Sequence, residues 1–381
     1  VSGPLTGIRI IEFAGLGPGP FCGMMLADHG ADVIRIARPR PPGLFDDLDR
    51  HDVLARSRRL VNVDMKTDAG MTVVRDLCRS VHGIIEGYRP GVMERLGLGP
   101  ERLIADNPAL VYGRVTGWGQ DGPLAQAAGH DINYIAINGV LHTIGRQGGK
   151  PTPPVNYVGD FGGGGMLLAF GMVAALLAVK NGAAGQVVDA AMVDGSALLA
   201  GMVWQLKGAG LWDDDTGANW LDTGAHFYDS YACADGKFIA LGAIEPQFYA
   251  LLRQTLGVAD DPAFDAQMDR AAWPALKDRV AAIIATRTRA QWCEVMEGTD
   301  ICFAPILSPD EALDHPHIRA RGTFIDVGGQ PQPAPAPRFS GAPADPPRPT
   351  RPAGRDAAPV LASIGYTQDR IAALLASGVV L

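Results

Sequence analysis

The chain has 381 residues, 47% of them hydrophobic and 19% charged, with a formal net charge of −8. That length and apolar content suit a large globular chain of two or three domains, and the acidic balance argues against nucleic-acid binding, which needs a basic field. No secretory leader is read at the start, and the longest apolar run, residues 166–179, falls short of the roughly 20 residues that span a bilayer, so a cytoplasmic protein without stable membrane insertion is expected.

Residues 8–13 predict a short strand, 14–20 a Gly/Pro turn, 21–29 a helix stopped at Gly30, and 31–36 a second strand. This is a βαβ unit, which implies a parallel sheet with flanking helices. Gly15, Gly17 and Gly19 invite comparison with a dinucleotide fingerprint. However, Pro20 stands where the third glycine is required, Pro18 and Pro20 remove backbone donors, and the next strand carries Arg35 rather than an acidic ribose ligand. NAD binding is therefore not expected. Arg35, Arg38, Arg40, Arg50, Arg56, Arg58 and Arg59 form a local basic segment. It reads either as a solvated surface or as a pocket for a phosphorylated ligand.

The alternation continues with strands at 60–65, 83–87 and 110–115 and helices at 69–80 and 101–107. Helices are expected at 131–144, 166–180 and 193–206, with a strand at 186–191 between the last two. Met192, Met202 and Trp204 read as core. Composition shifts after Gly208. A hairpin at 227–233 and 237–241 turns on Asp235 and Gly236, followed by helices at 247–256, 272–286 and 289–297. Residues 328–352 are proline-rich and read as an extended arm, and helical spacing returns over 357–377. The expected organisation is a large Rossmann-like parallel-sheet α/β domain (1–208), a linker (209–226), a smaller α+β domain (227–306) and a second linker (307–327). Residues 328–381 return to the large domain.

Five cysteines, Cys22, Cys78, Cys233, Cys293 and Cys302, are odd in number and have no CxxC spacing. Neither a disulfide framework nor a zinc site is expected. Cys293 and Cys302 have the alternative of acting as nucleophiles, but buried spectator thiols fit their neighbours better.

Candidate chemistry gathers in two blocks. His130 precedes an apparent helix start, where a neutral imidazole can accept a proton and the N–H of Asp131 is available to an oxyanion. The alternative is a structural histidine with Asp131 as cap. Asp160 precedes Phe161 and the glycines Gly162, Gly163, Gly164 and Gly165. That run permits close approach of a substrate or another chain, or else serves as a sharp entry to the helix near Met166. Asn156, four residues earlier, is placed to orient the Asp160 carboxyl. Glu245 lies at a strand end ahead of Pro246, either presented to a site or stabilising a helix start.

Several stretches carry a family likeness. They are Gly3-Pro4-Leu5, Ala31-Asp32-Val33-Ile34-Arg35-Ile36, Glu86-Gly87-Tyr88-Arg89-Pro90, Thr116-Gly117-Trp118-Gly119-Gln120, Gly129-His130-Asp131-Ile132-Asn133-Tyr134, Asn156-Tyr157-Val158-Gly159-Asp160, Gly185-Gln186-Val187-Val188-Asp189 and the Glu245 loop. In this order, over nearly the whole chain, they resemble the family III CoA-transferase superfamily, in its α-methylacyl-CoA racemase branch. The resemblance implies a 2-methylacyl-CoA substrate and no metal or redox cofactor. It implies His130 and Asp160 as an acid/base pair on opposite faces of one carbon, Glu245 tuning His130, and Asn156 supporting Asp160. By the same carry-over CoA would meet Arg38, Val63, Asp64, Met65, Lys66, Gly87, Tyr88, Arg89 and Arg95, with Val63 standing where a smaller residue is expected. Gly129, Ile132, Asn133 and Tyr134 would line the substrate. It further implies an interlocked homodimer with Glu245 acting across subunits. Two other classes remain open: a CoA-transferase with Asp160 as nucleophile, and a non-catalytic acyl-CoA-binding protein.

Overall fold

Ile10 and Ile11 are adjacent in the chain and both fully buried, yet they enter different cores, because successive side chains of a strand point to opposite faces. In the computed structural model, which describes residues 2–39, 51–350 and 355–381, that alternation recurs across the sheet. Ile11, Ile34 and Ile84 pack on one face, and Ile10, Val33 and Ile85 on the other. A sheet apolar on both faces must be covered by helices on both.

The elements in chain order are β1 (Arg9–Phe13), α1 (Pro18–Asp28), β2 (Asp32–Ala37), β3 (Arg59–Asn62), α2 (Asp68–Arg79), β4 (Gly83–Glu86), α3 (Val92–Arg95), α4 (Pro100–Asp106), β5 (Val111–Thr116), α5 (Asp131–Ile137), a π-helical stretch Tyr157–Met166, α6 (Leu167–Lys180), β6 (Gln186–Ala191) and α7 (Met192–Leu199). The six strands run parallel in the order β3-β2-β1-β4-β5-β6. The order reverses between β1 and β4, and crevices at such switch points are where open α/β sheets bind ligands.

The predicted α/β architecture is observed, with shifted boundaries. Helix α1 begins at Pro18 rather than at residue 21, since prolines in a first turn forgo only amides that have no intrahelical acceptor. The helix expected over 131–144 ends at Ile137, before Gly139 at φ 86°. The helix expected over 193–206 is two, Met192–Leu199 and Gly201–Gly208.

The helix expected from residue 166 starts at Tyr157, so Tyr157–Lys180 is one helical run of 24 residues. By length and composition that run suffices to cross a membrane, which the apolar stretch read from sequence did not. Here Leu168, Ala169, Met172 and Leu176 are buried in the core on one sheet face. Met166, Phe170, Val173 and Leu177, at helical spacing along the run, stand 52%, 72%, 40% and 58% exposed.

The proline-rich stretch contains a strand rather than only extended chain: Phe324–Val327 and Gln330–Pro333 form a hairpin through Gly328 and Gly329. Arg56 ties it down. The buried guanidinium donates to Asp28 at 3.1 Å, to Gln332 at 3.2 Å and to the carbonyl of Pro333 at 2.7 Å. Beyond it, helices Ala357–Ala362 and Gln368–Ala376 bury Ala357, Val360, Leu361 and Ile371 in the same core as Val61 and Val63. Asn62 and Leu381 exchange backbone hydrogen bonds of 3.1 and 2.9 Å at the outer edge of β3.

Apart from the helix Gly201–Gly208, these elements belong to one unit, comprising Val1–Asn138, Val155–Leu199 and Gly322–Leu381. The second unit comprises Gly139–Pro154 and Ala200–Arg321. It holds a three-stranded antiparallel sheet of Tyr228–Ala232, Phe238–Gly242 and Phe303–Ile306. Gly236 turns the predicted hairpin at φ 73°, and the sheet's core includes Phe227, Ile239, Trp273 and Trp292. Within it, Arg146 and Lys277 both pair with the buried carboxylate of Asp229.

Candidate active site

The segment carrying Asp160 is set by its glycines. A Cβ on Gly163 would lie 2.5 Å from the amide nitrogen of Ser196, one on Gly164 2.8 Å from Met192, and one on Gly165 2.7 Å from the Phe21 ring. On α7, a Cβ on Gly195 would overlap the carbonyl oxygen of Gly163. The run therefore lets the π-helical backbone press directly against α1 and α7 of the same chain. The close approach anticipated for a substrate or second chain is taken by these helices. Just upstream, Val155 sits at φ 57°, a left-handed conformation that costs a β-branched residue about 1–3 kcal/mol. Strain immediately before Asn156 and a π-helix around Asp160 both fall where functional sites collect such features.

Asp131 links the two predicted blocks. It is 5% exposed in the first turn of α5, and its Oδ1 accepts the amide N–H of Asp160 at 2.7 Å. Gly159 makes room, since a Cβ there would come within 2.6 Å of that oxygen. Its other oxygen, Oδ2, is buried with no hydrogen-bond partner. Asn156 Nδ2 donates to Asp160 Oδ2 at 3.2 Å, as expected from the four-residue spacing. Burial raises the Asp160 carboxyl above its usual range. The Asn156 hydrogen bond opposes this, the Asp131 charge adds to it, and His130 opposes it. His130 itself is exposed at the N-cap of α5, its N–H donating to Asn133 Oδ1 at 3.0 Å.

Behind this pair, Tyr134 donates its hydroxyl to the carbonyl of Gly129 and stacks edge-on against Trp118 at 4.8 Å between centroids. A side chain at Gly129 would meet both rings. Burial, then the Asp160 and Asp131 charges, raise the Tyr134 phenol, while Arg89 opposes them. Ile132, 42% exposed, and Asn133 face outward on the same helix.

Of the residues expected to meet CoA, Arg38, Gly87, Arg89 and Arg95 are exposed beyond the ends of β2 and β4, and Lys66 is exposed beyond β3. Tyr88 is half-buried, with its hydroxyl donating to the carbonyl of Ala14 at 3.3 Å and thus closing across the β1–β4 switch point. Val63 and Met65 are core residues at 0% and 8% exposure, so from that segment only Asp64 and Lys66 reach outward. Asp64 also turns the chain, accepting the Lys66 amide at 3.0 Å.

Most of the basic segment is internally neutralised. Arg56 pairs with Asp28, Arg58 with Glu12, Arg59 with Asp32, and Arg35 with Glu12 and Asp52. Neither a solvated surface nor a phosphate pocket describes these residues; Arg40 and Arg50 lie outside the described residues. Glu245 belongs to the second unit, exposed at the N-cap of Pro246–Thr255. Among the described residues no group of three or more His, Cys, Asp or Glu side chains is arranged to hold a metal ion.

Sequence reasoning missed Gly17 and Arg114. At φ 68°, Gly17 opens α1 in a conformation that disfavours side chains, and a Cβ there would sit 3.5 Å from Asp160 Oδ2. One of the glycines weighed for a dinucleotide thus borders the Asp160 carboxyl. Arg114 lies inside β5, where a buried arginine gives no periodic signal.

The model for CoA-transferase family III matches residues 5–357, and the chain belongs to that family. Among curated relatives, the α-methylacyl-CoA racemase of Mus musculus is 46% identical over 369 residues, covering 96% of this chain and 95% of that one. The Homo sapiens protein of the same name is 43% identical with the same coverage. The succinyl-CoA–D-citramalate CoA-transferase of Chloroflexus aurantiacus is 33% identical, covering 85% and 83%. A crystal structure of a CaiB/BaiF family protein from Brucella suis superimposes with a TM-score of 0.81 at 24% identity, covering 96% and 100%. That likeness supports the fold.

Proposed function

We propose that the protein is an α-methylacyl-CoA racemase, interconverting the (2R) and (2S) forms of 2-methylacyl-CoA thioesters. The observation that carries the reading is the hydrogen bond from the Asp160 amide to Asp131, the residue next to His130, which brings the two candidate acid/base segments together; burial raises the Asp160 carboxyl there. The mouse and human proteins named α-methylacyl-CoA racemase, similar over nearly the whole chain, support this substrate class.

A thioester α-hydrogen is a weak acid whose conjugate base is an enolate. In one direction neutral His130 takes that hydrogen as a proton, the electron pair moves onto the thioester oxygen, and protonated Asp160 delivers a proton to the opposite face. In the other direction Asp160 is the base and imidazolium His130 the acid. An ordinary carboxyl, near 3.9, would hold too little proton at neutral pH to serve as an acid, so a raised value is a requirement. The N–H of Asp131 lies in a helix's first turn, whose amides lack intrahelical acceptors, and it stabilises the enolate oxygen. Arg38, Lys66, Arg89 and Arg95 supply charge for CoA phosphates. No redox cofactor takes part, because the proton removed and the proton returned leave the oxidation state unchanged.

The working form is a homodimer. The exposed stripe Met166, Phe170, Val173 and Leu177 supports association, since large contiguous apolar surface marks an interface. Glu245 acts on His130 from the partner subunit. Light scattering that returned a monomer at working concentration would remove both statements.

The test is α-hydrogen exchange in D₂O. The protein washes deuterium into either epimer of a 2-methylacyl-CoA without any acceptor acid, and His130→Ala or Asp160→Ala lowers turnover about 10²–10⁴-fold. A requirement for an acceptor carboxylate, with a covalent intermediate on Asp160, would favour the CoA-transferase reading that the Chloroflexus aurantiacus relative suggests. Binding without exchange or transfer would leave an acyl-CoA-binding protein.

A further inference from the structure

Inside β5, Arg114 is 6% exposed and satisfied by two separate glutamates. It lies opposite Glu86 in the β4–β5 register, and its Nε donates to Glu86 Oε1 at 2.7 Å. Its two terminal nitrogens donate to Glu94 Oε1 and Oε2 at 2.8 and 3.3 Å, a fork-to-fork contact. Glu86 is fully buried, and its second oxygen accepts the amide N–H of Tyr88 at 2.8 Å. Glu94 lies in α3, beside Arg95.

These contacts hold one loop at both ends. Its first residues, Gly87 to Arg89, are held through Glu86 and the Tyr88 amide. Its last, α3, is held through Glu94. Between them Gly91 turns at φ 83° and the carbonyl of Pro90 accepts from Gln126 at 3.1 Å. The loop follows β4, one of the two strands flanking the switch point, and it presents Arg89 and Arg95 to solvent.

We infer that Arg114 is a positioning residue for CoA: by clamping Glu86 and Glu94 it fixes the β4 loop so that Arg89 and Arg95 face one phosphorylated ligand together. The inference rests on the acyl-CoA reading above and assigns to a buried residue what that reading leaves unexplained, namely how two long exposed arginines are held ready. Ordering a loop on binding costs free energy, so a loop already held at both ends lowers what binding must supply. Lysine cannot substitute, because a single ammonium does not span two carboxylates in this planar geometry.

The experiment measures the Kd of CoA itself by calorimetry on the full-length protein, together with kcat and KM for a 2-methylacyl-CoA. Arg89→Ala and Arg95→Ala come first. If neither weakens CoA, the assignment of CoA to this loop is wrong, whatever Arg114 does. If they do, Glu94→Gln and Arg114→Lys are expected to raise Kd and KM about tenfold, equivalent to about 1.4 kcal/mol, with kcat at saturation within about twofold of the parent. Glu94 is 44% exposed, so its substitution keeps the test intact should the Arg114 variant fail to fold. Unchanged Kd in Glu94→Gln, or kcat falling as far as kcat/KM, overturns the inference while leaving racemase activity standing.

Discussion

The carboxylate of Asp131 accepts the amide hydrogen of Asp160 at 2.7 Å, which joins the first turn of one helix to the π-helical stretch of another. A nearby negative charge disfavours the ionised form of a carboxyl, so Asp131 adds to the upward push that burial gives Asp160. Asp131→Asn keeps an oxygen for the Asp160 amide but removes the charge. Asp160 should then titrate lower, though burial, the larger cause, still holds it up. With Asp160 as acid, activity falls as pH rises through its pKa. With Asp160 as base, activity climbs through the same value. In the variant both limbs should move to lower pH, with His130, Asn156 and Tyr134 left in place around the carboxyl. A pH–rate profile coincident with the parent's would deny Asp131 this part.

Asp160 itself should cost stability at neutral pH. Its folded-state pKa lies above the unfolded value, so the folded protein holds the proton more tightly. The stability contributed by that proton is fully present below the unfolded pKa and is lost as pH rises through the folded pKa. Asp160→Asn cannot ionise and still accepts from Asn156. It should be inactive yet melt roughly 1–3 °C higher at pH 7, and the gap should close in acid. Calorimetric scans of both proteins across pH would expose a wrong sign.

Gly195→Ala puts a methyl group into the carbonyl oxygen of Gly163. Backbone cannot step aside as a flexible side chain can. The substitution should cost about 3 kcal/mol, at the upper end of overpacking, and displace Asp160, so activity should be lost before the fold is. Denaturant titration beside an exchange assay measures both. Full activity would mean that the contact between α7 and the π-helical stretch is not needed.

Arg56→Ala leaves the carboxylate of Asp28, 5% exposed, without its cation. Breaking a buried pair from one side costs about 3–5 kcal/mol. The hairpin of Phe324–Val327 and Gln330–Pro333 also loses its hydrogen bonds to the guanidinium. Its amides should exchange with solvent faster than those of β1, and a uniform loss of protection instead would show that the hairpin is not a separate dependent.

Patterns of burial made much of the sheet legible in the sequence. Ile10, Ile11, Ile84 and Ile85 sit in short apolar runs between helical periods, which is what strands buried on both faces produce. The site was legible where a residue's chemistry is unusual for its surroundings: His130 and Asp131 at a helix start, Asn156 four residues before Asp160. It was not legible where a role depends on contacts distant in sequence. Nothing around Arg56, Arg58 or Arg59 distinguishes an arginine that reaches an acid 27 to 46 residues away from one that waits for a phosphate. The glycines at 162–165 announced a close approach without saying to what. The π-helical start at Tyr157 was hidden because helical turns made largely of glycine run against intrinsic preference, and packing against α1 and α7 overrides it.

The pairing of Asn62 with Leu381, and the burial of Ala357, Val360 and Leu361 beside Val61 and Val63, have a consequence for how the chain is made. A ribosome releases β3 roughly 300 residues before the segment that seals it. Until then a strand edge and an apolar surface wait unpaired, while the whole second unit is synthesised in between. Removing residues 357–381 should therefore leave a nascent protein that chaperones retain and proteases clear.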